Sequence, residues 1–61
     1  MAATRLVIVE DEFLVAEELR QSLGHQGFDV VGVAHSAEDA IKLGLDCQPD
    51  LVILEIGRAH V

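Results

Sequence analysis

The sequence predicts an α/β fold, a βαβαβ chain that forms one half of a doubly wound parallel sheet. Short apolar runs rich in β-branched residues occur three times, at 6–9, 29–34 and 51–54. Segments of helical period separate them, and the connections leave room only for tight turns. Alternation of this kind builds parallel sheets through right-handed crossovers.

The first run, Leu6-Val7-Ile8-Val9, is continuous and apolar, which suits a strand buried on both faces. It stops abruptly at Glu10-Asp11-Glu12. Over 13–23, Val15, Leu19 and Leu23 recur every four residues, while Glu17, Glu18 and Gln21 fall elsewhere. An amphipathic helix is expected, with its acids near the positive N-terminal end, Glu12 at its start and Gly24 as its stop. Gly27 then turns the chain into a second strand, Asp29-Val30-Val31-Gly32-Val33-Ala34. Ser36 followed by Asp39 resembles a capping box with Asp in place of Glu or Gln. Ala40, Ile41, Gly44 and Leu45 give the second helix a small-residue inner stripe, and it ends before Pro49, because the residue ahead of a proline avoids the helical region. Leu51-Val52-Ile53-Leu54 reads as a third buried strand, ended by Glu55. Phe13 and Phe28 are expected in the core or at its edge. Asp50, at the opposite end of the third strand from Glu55, reads as structural.

Composition narrows the function classes. Four Lys plus Arg against eleven Asp plus Glu give a net charge of −7, which argues against an electrostatic hold on nucleic acid or anionic lipid. Hydrophobic residues make up 51% and charged residues 25%, a globular and not a disordered composition. Two aromatics offer no stacking platform for single strands. Cys47 is the single cysteine, which excludes an internal disulfide and a cysteine-rich zinc site and suits a reducing compartment. His25, His35 and His60 do not stand at metal-ligand spacing with it, and His25 and His35 read as surface or packed histidines. No apolar run reaches the length of a membrane span, and residues 1–5 do not open a signal peptide. Sixty-one residues make at most one small domain, and a chain of this size buries only about 60% of its unfolded surface. The fold is therefore either very economical or incomplete.

In doubly wound sheets, ligands bind beyond the carboxyl ends of the strands, where the strand order reverses. With the first strand central, the residues just past the first and third strands are Glu10-Asp11-Glu12 and Glu55. Acids distant in sequence thus converge on one sheet edge. Close carboxylates repel, and a hard divalent cation such as Mg²⁺ is the simple remedy. Glu17, Glu18, Glu38 and Asp46 read as solvated faces.

The segment 6–12, the run 27–34 and Pro49-Asp50-Leu51-Val52-Ile53-Leu54 together resemble the receiver domain of bacterial two-component response regulators, over about residues 5–55. The resemblance implies a flavodoxin-like receiver fold, here its N-terminal half over 1–55, ending after the third strand. It implies Mg²⁺ at the acidic pair Glu10 and Asp11, with Asp11 the direct ligand and Glu10 acting through water, and Glu55 completing the set. It further implies a phosphoacceptor carboxylate at the end of the third strand, at position 55. The donor would be the phosphohistidine of a sensor histidine kinase or histidine phosphotransfer protein, in a cytoplasmic phosphorelay. Such a protein is a switch and not a turnover enzyme, with no nucleic-acid or membrane binding by this segment.

Two departures stand out. Position 55 holds Glu where the family has Asp; the arm is one methylene longer, and a misplacement of about 1 Å can cost about 100-fold in rate. The family's second half, with its hydroxyl residue and lysine, has no counterpart in the 61 residues. The tail Ile56-Gly57-Arg58-Ala59-His60-Val61 resembles the translation of a common short-read sequencing adapter, ATC-GGA-AGA-GCA-CAC-GTC, so residues 56–61 are expected to be non-native. The preceding adapter bases AG would complete codon 55 after a genuine G, making GAG (Glu) where the natural codon could be any beginning with G, aspartate among them. The natural protein is expected to continue past an aspartate there.

Other functions are weighed against this. A Mg²⁺-dependent phosphohydrolase-like α/β enzyme would want Asp-x-Asp after the first strand, where this chain has Glu10-Asp11-Glu12. A nucleotide- or cofactor-binding domain would want a glycine fingerprint, which Gly24, Gly27 and Gly32 do not make. A phosphorylation-independent, receiver-like interaction module remains if Glu55 is native.

Overall fold

A computed structural model describes residues 2–55. Residues 56–61, His60 included, which the sequence marks as a non-native tail, lie outside the described residues. Strand β1 (Arg5–Val9) is followed by helix α1 (Phe13–His25), strand β2 (Asp29–Ala34), helix α2 (Ala37–Cys47) and strand β3 (Leu51–Leu54). The three strands form one parallel sheet in the order β2-β1-β3. The first crossover steps outward to β2 and the second steps back across β1, so two right-handed crossovers put the helices on opposite faces.

Central placement explains the composition of β1. Leu6, Val7, Ile8 and Val9 are fully buried, as a strand with a neighbour on each side and a helix over each face must be. Val7 and Val9 join Ala34 in a core cluster completed by Val31, Ala40 and Leu43, which is the α2 face. Leu6 and Ile8 alternate to the other face. A bulge interrupts the β1–β2 register between Leu6↔Val30 and Val7↔Gly32. A Cβ on Gly32 would lie 3.1 Å from both methyl carbons of Leu43, so the absent side chain is what lets α2 lie close to β2.

The far end of the sheet is pinned by Asp50. Its carboxylate accepts the Arg5 backbone N–H at 2.9 Å, while its own N–H donates to the Arg5 carbonyl at 2.7 Å. The structural role expected of Asp50 is borne out.

Helix ends follow local chemistry. Ser36 Oγ accepts the Asp39 N–H at 3.2 Å, capping α2 as expected. Helix α1 runs past Gly24 to His25, because the left-handed residue that stops it is Gly27, at φ 97°. Phe28 N–H donates to Leu23 O and Gly27 N–H to Gly24 O, the paired bonds of a Schellman ending. Glu12 stands at the N-cap, yet no acid lies in the first turn; Glu17 is one turn further on, paired with exposed Arg20 at 2.9 Å. That guanidinium hydrogen bond holds the Glu17 carboxyl below its ordinary range.

Three packing expectations are corrected. The inner side of α2 carries Ala40, Leu43 and Gly44, whereas Ile41 and Leu45 face solvent, Leu45 at 75% exposure. The four-residue spacing fits either face of a helix, and only the sheet's position chooses between them. Phe13 is 64% exposed, although Phe28 is half-buried. Strand β3 is not buried: Leu54 is 68% exposed, because among the described residues β3 has a neighbour only in β1 and no helix packs against it.

Candidate functional site

The carboxyl edge of the sheet brings three predicted residues into one neighbourhood through backbone bonds. Glu10 N–H donates to Ala34 O at 2.9 Å, and Glu55 N–H donates to Val9 O at 2.8 Å. Each bond extends a parallel ladder by one step, so Glu10 and Glu55 leave adjacent strands at the same level, after the paired residues Val9 and Leu54.

The three acids differ in setting. Glu10 is buried, at 2% exposure, and its Oε1 accepts the Glu12 N–H at 3.0 Å. It thereby ties the start of α1 to the end of β1. Asp11 is exposed and Glu55 half-buried. Among the described residues no three His, Cys, Asp or Glu side chains are arranged to hold a metal ion. The expected crowd of carboxylates is therefore a shared edge and not a closed cage. A Mg²⁺ ion keeps several waters and takes one or two protein carboxylates together with phosphate oxygens. The hard oxygen donors of Asp11, Glu10 and Glu55 fit an ion of that kind.

One residue at this edge was read from sequence only as a surface or packed histidine. His35 directly follows β2, and its Nδ1 lies 3.0 Å from the Glu10 carbonyl oxygen. A carbonyl only accepts, so Nδ1 carries the proton and donates. The imidazole also stands 5.9 Å from the Phe13 ring, centroid to centroid, at a 36° tilt. Its position one residue past the second strand was the available signal. Cys47 is half-buried at the end of α2, with Sγ 3.9 Å from Val31 O; together with His25 it stands apart from the acidic edge in the chain and in the fold.

The open parallel sheet, with acids beyond the carboxyl ends of adjacent strands, defines a doubly wound, flavodoxin-like α/β module. No protein-family model matches the chain. Over 52 residues it is 36% identical to the "Transcriptional regulatory protein PdtaR" of two strains of Mycobacterium tuberculosis, which covers 85% of this chain and 25% of that protein. Over 58 residues it is 34% identical to the "Phyllosphere-induced regulator PhyR" of Methylorubrum extorquens, covering 93% of this chain and 22% of that one. These matches, over most of this chain, support a receiver domain of the response-regulator kind. It spans about a quarter of the length of the curated relatives it matches. Among the described residues, no helix is long and apolar enough to cross a membrane.

Proposed function

We propose that this chain is the part of a response-regulator receiver that accepts a phosphoryl group on a carboxylate at residue 55, with Mg²⁺ held at the same edge. The supporting observation is the placement of residue 55 beside Glu10 through the Glu55 N–H to Val9 O bond. Asp11, exposed one residue further on, serves as the direct ligand. Glu10, with one carboxylate oxygen engaged by Glu12, acts through water. When bound, the ion neutralises charge on the transferring phosphoryl group.

The residue-55 carboxylate is the nucleophile. Its oxygen bonds to phosphorus as the P–N bond to a partner's phosphohistidine breaks, and the imidazole leaves. The donor is a sensor histidine kinase or histidine phosphotransfer protein, the setting is a bacterial cytoplasm, and the chain acts as a switch and not as a turnover enzyme. With glutamate at 55 the nucleophilic oxygen stands one methylene too far out, so this chain is expected to take up no appreciable label. Glu55 itself favours a second reading, in which the longer carboxylate holds negative charge further out and the module binds its partner without phosphorylation.

Acetyl phosphate and Mg²⁺ test the first reading on the intact parent protein carrying aspartate at 55. A hydroxylamine-sensitive, Mg²⁺-dependent label is expected there, and almost none with glutamate. A hydroxylamine-resistant label, or no label with aspartate, overturns the reading. Efficient labelling of Glu55 overturns the account of the methylene.

A further inference from the structure

We infer that His35 is a positioning residue for the acidic edge, setting where Asp11 is presented to a divalent cation. This rests on the proposed Mg²⁺ site and adds to it a residue from the second strand's exit. Both backbone polar groups of Glu10 are bound by consecutive residues of one segment: its N–H by Ala34 O at 2.9 Å and its carbonyl by His35 Nδ1 at 3.0 Å. The first is a ladder bond. The second stands where the ladder would continue, but β2 has ended and the chain is turning toward α2. The imidazole N–H therefore replaces a strand amide.

The consequence falls on Asp11. The Glu10 carbonyl and the Asp11 N–H share one planar peptide unit, so a bond that fixes the carbonyl fixes the direction in which Asp11 departs. Two residues past Asp11, the Phe13 ring meets the same imidazole. His35 thus touches the chain on both sides of the exposed Asp11 carboxylate. Groups that orient a ligand without touching the metal typically change metal affinity by about 10–100-fold when removed. His35 holds the ligand through a backbone carbonyl, so the effect belongs at the lower end.

The test uses the intact parent protein with His35→Ala and His35→Asn, since the asparagine amide N–H can stand in for Nδ1–H. Mg²⁺ titration followed by backbone amide NMR should show affinity about tenfold weaker for His35→Ala and largely restored by His35→Asn. Equal affinity in His35→Ala, or an asparagine variant as weak as alanine, overturns the inference. In metal-free protein, the Asp11 amide resonance should move in His35→Ala and return in His35→Asn, with the Ala34-bonded Glu10 amide still protected as proof of fold. An unmoved Asp11 resonance also overturns it. If the variants show the Asp11 effect but the wild-type protein binds no Mg²⁺, the metal site and the role toward it fall, which overturns the inference, and only the positional contact stands.

Discussion

Single residues carry the strain and the repairs of this fold. Gln48 ends α2 in the left-handed region, at φ 48° and ψ 62°, with its N–H donating to Gly44 O. A side chain there costs what glycine avoids, so Gln48→Gly should stabilise the end of α2 by about 0.5–1 kcal/mol. Slower amide exchange in the last turn of α2 checks this, and faster exchange would contradict it. At Gly27, where φ is 97°, glycine already occupies the position that needs it. The α1 stop is itself a readable signal, Gly27, and the α2 stop stands one residue before another, Pro49. The chain shows that a turn is near, but which residue goes left-handed depends on where the helix's last carbonyls find donors. The His35 contact was illegible for a different reason: it joins residues 25 apart in sequence, and only the sheet brings them together.

At the level of elements, close approach and exposure decide the behaviour. Gly32→Val should push α2 away from β2, since even a Cβ would sit 3.1 Å from the Leu43 methyls. Overpacking of this kind typically costs about 1–3 kcal/mol. Faster amide exchange throughout α2, with β1 and β2 less affected, is the expected signature; uniform loss would point to the strand itself. The order and type of all five elements were legible, because apolar runs, helical spacing and the Ser36 cap are local signals. Burial was less so. Ile41 and Leu45 satisfy a helical stripe as well as Ala40 and Leu43 do, and nothing in the spacing says which stripe meets the sheet.

For the whole molecule, the balance between covered and open apolar surface is the governing quantity. Leu14, Ile41 and Leu45 on the helices and Leu51, Val52 and Leu54 on β3 are exposed large hydrophobics. A sheet edge of that kind invites pairing with another chain. The isolated 61-residue chain should therefore bind a hydrophobic dye, associate with rising concentration, and melt without a cooperative transition; a sharp, concentration-independent melt would contradict this. The acidic edge was legible at this scale, since Glu10-Asp11-Glu12 and Glu55 both follow strand-like runs. The spacing between their side chains was not, because burial turns Glu10 toward Glu12. The central position of β1 also imposes an order of assembly. Its bonds toward β2 close loops of about 25 residues, whereas the Arg5–Asp50 bond that anchors β3 spans 45. Loop-closure entropy separates the two by only about 0.5 kcal/mol, but synthesis separates them absolutely. By the time β3 leaves the ribosome, β1, α1 and β2 have already had the chance to pair, so β3 arrives as a latecomer to a finished edge.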